Sequence, residues 1–350
     1  KAGDLLYLYS GEDGTFEHIL TVTRVDEEGR AYSVTNLNTQ PYPDYYYVIK
    51  EVMLYDPNQP GEGQFHDWTD ETTNNWIGLT GFGGFEVWRF SAPVQDVTPE
   101  ESALADEMDA IFENAGGKWR AVILDLETRR RVYDLHSNDI VHVASVIKVP
   151  VAMLVFASLE KQGIPPADLE EYIKVHGDGS LLDQLLHDML VDSDEKATED
   201  LLTYIRRSGL DINATLADWG AANIDIFNRT APLEEIAQLF AGLYQGEFIS
   251  SEARQIILDR MAEYTANDDT RIGVLRSRLP MGAEYYNKRG TITAERLIVG
   301  DTAILAWHST DGIRAYVIVI FGYPGEIPTN DVKLVAGIEQ AALAFWEFAK

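Results

Sequence analysis

The pattern of apolar and polar positions changes character near residue 98. Before it, short β-branched and aromatic runs alternate with Gly, Asp and Asn, which is typical of strands separated by turns. The polar, Gly-rich stretch from Asp56 to Gly84 predicts a long ordered loop. We therefore predict a small β-rich N-terminal domain over residues 1–97. Its strand-like runs are DLLYLYS, HILTVTRV, RAYSVTNL, YYYVIKEVMLY and GFEVWRF.

The segment SAPVQDVTPEES predicts a linker that ends on a helix start. Thr98 is a favourable N-cap residue, and Pro99 suits the first helical position because its missing N–H has no partner there anyway. Glu100 and Glu101 place negative charge at the positive end of the helix dipole. The sequence therefore predicts a new domain that opens with a helix over residues 99–114.

Beyond this helix the pattern mixes helices and strands. The strand-like runs WRAVILDLE and RRVYDLH come first, a mainly helical middle follows, and EYYNKRGTI, RLIVGDTAILAWH and GIRAYVIVIFGY return to strands before a last helix. Strands at both ends with a helical insert imply one antiparallel sheet built from distant segments. We predict an α/β fold of the α+β kind over residues 98–350, with an all-helical insert.

Composition excludes several classes of function. The chain has 28 basic and 57 acidic residues, a net charge of −29, which repels phosphate backbones and argues against a nucleic-acid partner. The absence of Cys excludes disulfides, thiolate metal sites and a cysteine nucleophile. No apolar run is long enough for a transmembrane segment. The start KAGDLLYLYS lacks Met, so we expect a processed start that would also hide a signal peptide.

The first candidate for catalytic chemistry is the motif Ser-x-x-Lys. About one match to it is expected by chance in a chain of this length. The chain holds three matches, SVIK, SLEK and SDEK. In the second, Ser158 and Lys161 end an apolar run, where Lys complements the dipole of a helix C-terminus. In the first, Ser145 and Lys148 open that run, and an all-apolar helix follows them.

The position of Ser145 and Lys148 permits two interpretations. A Ser at a helix start lies near free backbone N–H groups, which can stabilise an oxyanion. Lys148 lies one turn later on the same side. The apolar residues after it predict a buried helix, and burial lowers the pKa of a Lys so that it can act as a general base. The alternative is a capping Ser beside a Lys whose charged end reaches solvent.

Three motifs that follow one another along the chain favour the catalytic interpretation of Ser145 and Lys148. SVIK, then SDE, then KRG correspond to Ser-x-x-Lys, Ser-Asp-Asn and Lys-Thr-Gly of penicillin-recognising serine enzymes. The flanking segments NRTAPLEEIAQLF and LRSRLPMGAEYYNKRGTI also resemble the corresponding segments of these enzymes. From about residue 98 to 350 the chain resembles the class A β-lactamase and D-Ala-D-Ala peptidase family. The resemblance implies a β-lactamase-like antiparallel sheet flanked by helices.

The resemblance also implies roles for individual residues. Ser145 would attack the carbonyl carbon and form an acyl-enzyme, and Lys148 would accept its proton. Ser193 would relay a proton to the leaving nitrogen. Lys288 would hold Ser193 and a substrate carboxylate by charge. The backbone N–H groups of Ser145 and Thr291 would form the oxyanion hole, and no cofactor is implied.

The predicted substrate contacts include two departures from the family pattern. Glu195, Arg289, Gly290 and Thr291 are the predicted substrate-binding residues. Glu195 replaces an Asn, and a carboxylate cannot donate a hydrogen bond to substrate. We expect Glu195 to pair with one of the two site lysines, and near Lys148 it would keep that Lys charged. Arg289 replaces a Thr, and it would either clamp a carboxylate or block the site.

A third departure concerns the omega loop, the segment that carries the deacylating glutamate of class A β-lactamases. The corresponding segment DWGAANIDIFNRTAP is short, and no Glu occurs between Glu199 and Glu234. Asp218 and Asp225 are the nearby acids, and we predict a solvated-surface or capping role for both. We therefore predict slow β-lactam hydrolysis or none.

The remaining motifs are less specific. Residues 1–95 weakly resemble the β-half of papain-like cell-wall amidases, in which His18 would be the catalytic His, but the chain has no Cys. A single His on a strand is more often structural, and PYPDYYY more often packs in a core than binds sugar. His142, His187 and His308 show no ligand spacing, so we predict no metal.

Three hypotheses remain from the sequence. The first is a serine hydrolase that acts on a β-lactam or a peptidoglycan stem peptide. The second is a degenerate relative that binds a cell-wall peptide or a protein partner without turnover. The third places the function in the N-terminal domain. The family resemblance implies a secreted or cell-envelope location, extracellular or periplasmic.

Overall fold

The chain forms two compact units, Lys1–Asp96 and Val97–Lys350. The structure is a computed structural model. It describes residues 4–10, 16–26, 28–38, 47–55, 82–88, 97–175, 177–263, 270–293, 296–310 and 312–350. The segment PYPDYYY, apart from the backbone of its last residue, and most of the predicted loop over 56–84 lie outside the described residues, as does the side chain of His18.

The described part of the first unit is β-structure, as predicted. Strand β1 lies between β2 and β6 in one antiparallel sheet, and β4 lies between β3 and β5 in another. The bounds are Leu5–Ser10 for β1, Phe16–Thr21 for β2, Arg24–Val25 for β3, Ala31–Asn38 for β4, Tyr47–Tyr55 for β5 and Phe82–Trp88 for β6.

The second unit begins with the helix that the sequence predicted. Thr98 and Glu101 form a capping box: the Glu101 N–H donates to Thr98 Oγ1 at 3.1 Å, and the Thr98 N–H donates to Glu101 Oε2 at 2.8 Å. These bonds satisfy two backbone donors that a helix start otherwise leaves without partners. The predicted N-terminal boundary of this helix is therefore confirmed.

Five strands of the second unit form one antiparallel sheet in the order β11-β12-β13-β7-β8, with β11 at one edge. A separate two-stranded ribbon joins β9 to β10. The predicted sheet of distant segments is thus confirmed. The strands are Lys118–Asp125 (β7), Arg131–Leu135 (β8), Ile140–His142 (β9), Thr230–Pro232 (β10), Glu284–Ile292 (β11), Ile298–Ser309 (β12) and Gly312–Tyr323 (β13).

Helices cover both faces of the sheet. Helices α1 and α9 pack on one face, and the helical insert, centred on α2, packs on the other. The helices are Pro99–Ala115 (α1), Lys148–Lys161 (α2), Leu169–Val175 (α3), Gly177–Leu190 (α4), Glu195–Ser208 (α5), Ile212–Asp218 (α6), Leu233–Gln245 (α7), Ser251–Glu263 (α8) and Asp331–Ala349 (α9).

Helix α2 is the centre of the insert because it has almost no polar face. All residues from Lys148 to Phe156 are buried, and the sequence predicted this burial from the apolar run. Within the described ranges, no helix combines the length and the apolar character needed to cross a bilayer.

Candidate active site

Ser145 lies in a short 3-10 turn, Ala144–Ile147, that leads directly into α2. The sequence predicted an α-helix start at this point, and the tighter turn replaces its first residues. Ala144 has a φ of 45°, in the left-handed region that costs a non-Gly residue about 1 to 3 kcal/mol. Such a conformation persists only where neighbouring groups hold it, so the segment before Ser145 is under tertiary control.

Several contacts hold this segment. The Val143 N–H donates to the Arg229 carbonyl at 2.8 Å, and the Ala144 N–H donates to His142 Nδ1 at 3.0 Å. The Tyr323 hydroxyl donates to the His142 carbonyl at 3.2 Å. Three consecutive residues before Ser145 are therefore fixed by hydrogen bonds.

Strand β11 presses against the same segment at Gly290. A Cβ at this position would lie 2.8 Å from the Val143 carbonyl oxygen and 3.2 Å from the Ala144 Cβ. Both distances are shorter than ordinary contact, so a side chain at Gly290 would displace the Ser145 turn. The Gly of the KRG motif thus sets how closely β11 approaches Ser145.

Two buried lysines meet at Ser193. Lys148 Nζ lies 3.2 Å from Ser193 Oγ and 2.5 Å from the Ser193 carbonyl oxygen, and Lys288 Nζ lies 2.9 Å from Ser193 Oγ. Lys148 and Lys288 are each 0 % exposed. The structure therefore joins the first residue of α2, the loop before α5 and strand β11 through one hydroxyl group.

The loop that carries Ser193 is held by its own helix. Asp194 is the N-cap of α5, and its Oδ1 accepts the Ala197 N–H at 2.6 Å. Ser193 itself has a φ of 58°, which turns its side chain and carbonyl toward the lysines. Glu195 then becomes the first residue of α5, where the helix dipole favours a negative charge.

Glu195 pairs with Lys148, as the sequence led us to expect for one of the two lysines. Glu195 Oε1 accepts from Lys148 Nζ at 2.8 Å, and Glu195 Oε2 pairs with the Arg229 guanidinium. Burial raises the pKa of Glu195, but the hydrogen bonds from Arg229 and Lys148 outweigh burial and lower it to about 2. Glu195 is therefore ionised at neutral pH and is a poor general base.

The pKa values of both lysines are lowered. Burial is the largest cause for Lys148, and it outweighs the opposing effect of Glu195. Glu195 acts in the expected direction, because its hydrogen bond and its charge raise the pKa of Lys148. That Glu195 keeps Lys148 charged at neutral pH stays a prediction. Burial and the charge of Lys148 lower the pKa of Lys288 to about 7, a value suited to proton transfer at neutral pH.

Ser145 precedes Lys148 by three residues, in the turn that leads into α2. Its hydroxyl makes no hydrogen bond with any residue that the structure describes, whereas its carbonyl accepts the Lys148 N–H. Lys148 Nζ donates instead to Ser193 and Glu195. The side chain of Ser145 is half-buried, so its oxygen remains available to a substrate.

Arg289 occupies the other side of β11. Side chains alternate along a strand, so Lys288 and Arg289 leave opposite faces. Lys288 reaches Ser193, whereas the charge of Arg289 acts on Asp301 and on the buried Tyr285. The role of Arg289 as a substrate contact stays a prediction.

Asp301 forms the centre of a buried polar network behind β11. It is 0 % exposed and accepts the Ile272 N–H at 3.1 Å and Asn287 Nδ2 at 2.5 Å. Burial raises the pKa of Asp301 to about 6, and the guanidinium groups of Arg271 and Arg289 oppose that rise. This network fixes the strand that positions Lys288.

Arg271 links the network to the predicted oxyanion strand. It is 3 % exposed and donates to the Gly300 carbonyl at 2.6 Å and to Thr291 Oγ1 at 2.8 Å. Thr291 is exposed at the edge of the sheet, so this contact fixes a side chain beside the predicted oxyanion N–H. Sequence reasoning missed Arg271 because its partners lie far away along the chain.

The segment before β10 contributes a cation. Arg229 has a φ of 55°, and it reaches Glu195 from just before β10. The predicted capping role of Asp225 is confirmed: its Oδ1 accepts the N–H groups of Phe227 and Asn228, each at 2.9 Å. Asp218 is exposed at the end of α6. No sequence signal singled out Arg229, because its partner Glu195 lies 34 residues away, at the start of α5.

One group of possible metal ligands occurs among the described residues. Ligand atoms of His187, Asp188 and Asp192 lie within 4.8 Å of one another. His187 Nε2 also lies 3.7 Å from Glu263. Partly exposed acidic groups of this kind are common without an ion, and the predicted absence of a metal site stays a prediction.

Comparison with known proteins adds the family. No curated protein sequence shows significant similarity to the chain. A solved β-lactamase from Chitinophaga pinensis is similar in fold, with 19 % identity and a TM-score of 0.56 over 71 % of this chain and 100 % of that one. A β-lactamase from Xanthomonas campestris shares 16 % identity over 72 % of this chain and 99 % of its own, with a TM-score of 0.57.

An ancestral class A β-lactamase is also similar, with 20 % identity and a TM-score of 0.54 over 70 % of this chain and 99 % of its own. At these identities the structural comparisons show the fold alone. The model of the "Beta-lactamase enzyme family" matches residues 103–348, which is most of the second unit and well over half of the chain. The chain belongs to this family of penicillin-recognising serine hydrolases.

Proposed function

We propose that the protein is a serine hydrolase that forms an acyl-enzyme at Ser145 with cell-wall-type peptides or β-lactams, and that it hydrolyses β-lactams poorly. The observation that carries the proposal is the contact of Ser193 Oγ with both Lys148 and Lys288, two fully buried amines, of which Lys148 follows Ser145 by three residues. A buried amine is costly for a fold to keep. Two of them around one hydroxyl argue for chemistry.

In the proposed acylation, Ser145 Oγ attacks the carbonyl carbon and Lys148 accepts the hydroxyl proton. The carbonyl oxygen becomes an oxyanion, which the N–H groups of Ser145 and Thr291 stabilise. The C–N bond then breaks, and Ser193 delivers a proton to the leaving nitrogen. Ser193 recovers a proton from the lysine pair, and the pKa of Lys288 near 7 suits that exchange.

Deacylation is the step for which this site is poorly equipped. Water must be activated to attack the Ser145 ester, and the short segment before β10 supplies Arg229 rather than a glutamate. Glu195 is the nearby carboxylate, but its pKa of about 2 makes it a weak base. We therefore propose a long-lived acyl-enzyme with β-lactams, and an outward location of the protein in the cell envelope or beyond it.

A degenerate binder is the second candidate, and one observation favours it. Lys148 donates to Ser193 and Glu195, and Glu195 is held in turn by Arg229. In this arrangement the Lys148 amine donates to these acceptors and not to Ser145. Under this alternative the cleft binds a cell-wall peptide or a protein partner, and Ser145 is never acylated.

Intact-mass spectrometry after incubation with a fluorescent penicillin separates the two candidates. Wild-type protein is expected to gain one penicillin mass, and Ser145→Ala is expected to gain none. A stable adduct together with nitrocefin turnover far below the typical enzyme range of about 1 to 1,000 per second supports the proposal. An unmodified wild-type mass with penicillins and with a D-Ala-D-Ala thioester would favour the binder.

A further inference from the structure

His142 contacts the backbone just before Ser145. Its Nδ1 accepts the Ala144 N–H at 3.0 Å, across two residues of chain. An acceptor nitrogen carries no proton, so the neutral imidazole holds its hydrogen on Nε2. The Ala144 backbone that this bond holds has a φ of 45°. The imidazole therefore stabilises an unfavourable conformation at the residue that precedes Ser145.

The other contacts of this turn do not change with pH near neutrality. The Val143 N–H and the Arg229 carbonyl form a backbone bond, and the hydroxyl of Tyr323 donates to the carbonyl of residue 142. Burial raises the pKa of Tyr323, so that hydroxyl keeps its proton. Among these contacts, the imidazole is the one group whose ordinary pKa lies near neutrality.

We propose that His142 is a positioning residue for acylation: as a neutral imidazole it holds Ala144 so that the Ser145 hydroxyl and N–H face the substrate, and its protonation releases them. The inference rests on the proposed function of Ser145. On protonation Nδ1 becomes a donor facing the Ala144 N–H, so the bond is lost and two donors oppose each other.

The charges around His142 favour its neutral form. Arg229, just before β10, and Arg296, just before β12, act on the ring, and the hydroxyl of Tyr323 on β13 lies at its carbonyl. Burial and then the two guanidinium groups lower the pKa of His142 below its ordinary value. The turn is therefore intact at neutral pH, and it opens only when the pH falls below the lowered pKa of the imidazole.

Substitution by Asn tests the proposal because the Asn Oδ1 can accept the same N–H but does not titrate. The acylation rate with a fluorescent penicillin is measured from about pH 5 to 9, with His308→Asn, an exposed His on β12, as the matched control. His142→Asn is expected to keep the neutral rate within about threefold and to lose the acid decline that belongs to the imidazole. His142→Leu, which has no acceptor, should be slower at every pH by about tenfold.

An acid decline that is the same in wild type and His142→Asn would overturn the proposal, because it would belong to Lys148 or Lys288. A second measurement does not depend on acylation. Nitrogen-15 NMR of the wild type should show His142 unprotonated at Nδ1 at pH 7, with the Ala144 amide shift following the His142 titration. A ring protonated at Nδ1, or an Ala144 amide indifferent to that titration, would overturn the proposal even if Ser145 proves unreactive.

Discussion

Helix α2 has a Ser-x-x-Lys at each end, and the two pairs have different surroundings. At its N-terminal end, Lys148 is 0 % exposed and contacts Ser193 and Glu195, at the start of α5. At its C-terminal end, Lys161 is exposed and donates to the Gly209 carbonyl at 2.8 Å, at the end of α5. The lysines of the two Ser-x-x-Lys pairs thus contact opposite ends of α5.

The difference follows from helix electrostatics. Lys161 lies at the carbonyl ends of two helices, where a positive charge is stabilised, and its neighbour Ser158 donates to the Val155 carbonyl within the helix at 2.8 Å. Lys148 lies at the N-terminal ends of the same two helices, where a positive charge is opposed. Burial adds to that cost and lowers the pKa of Lys148, and Glu195 offsets part of it. The position of a motif on its helix therefore decides whether it can carry chemistry.

The largest expected contrast is between the two lysines. Lys148→Ala should slow labelling of Ser145 by a fluorescent penicillin about 100-fold or more, because general-base assistance typically contributes that much. Lys161→Ala should change the rate by less than about twofold. Rates from gel fluorescence, with melting curves to verify folding, check this prediction. Equal losses in the two variants would remove Lys148 from the mechanism.

Substitutions of two glycines test how closely the N-terminal end of α2 is packed. Gly290→Ala places a Cβ 2.8 Å from the Val143 carbonyl oxygen, so it should displace the Ser145 turn and slow labelling about 10- to 100-fold. Gly163, just beyond the C-terminal end of α2, has a φ of 78° and no atom near its missing Cβ. Gly163→Ala should cost about 1 kcal/mol of stability and leave labelling unchanged. Normal labelling of a folded Gly290→Ala variant would contradict the close-packed site.

The substitution Glu195→Asn tests whether Glu195 offsets part of the effect of burial on the pKa of Lys148. Glu195 raises the pKa of Lys148, so its removal should lower that pKa further and increase the neutral fraction at any given pH. The acid limb of the labelling rate should move to lower pH, and the neutral rate should rise about 3- to 10-fold. Glu199→Gln, on the exposed side of α5, is the control. If Glu195→Asn leaves the pH profile of the labelling rate unchanged, Lys148 is not the group that titrates.

The smallest effect is expected at the third Ser-x-x-Lys. Lys196 is 80 % exposed and pairs with Asp200 one turn later at 2.5 Å, a surface arrangement that contributes little to stability. Lys196→Ala should leave the labelling rate within about twofold and the melting temperature within about 1 °C. A clear loss of labelling would show that Ser193 depends on its own downstream Lys, and the comparison of helix ends would need revision.

The sequence by itself determined the features that depend on neighbouring residues. The N-cap at Thr98 and the bounds of strand β11 could be predicted directly, because cap residues and strand-forming runs act over a few residues. The buried helix α2 followed from its unbroken apolar run. The order of the three motifs further identified the family.

The tertiary structure decided which groups meet. Arg229 reaches Glu195, Arg271 reaches Thr291, and Arg289 lies behind β11 beside Asp301, although no spacing in the sequence predicts any of these contacts. Each joins residues that are distant along the chain, and the burial that shifts the pKa of Lys288 comes from several segments packed together. Charge, burial and orientation are properties of the packed site, and the local pattern of residues does not contain them.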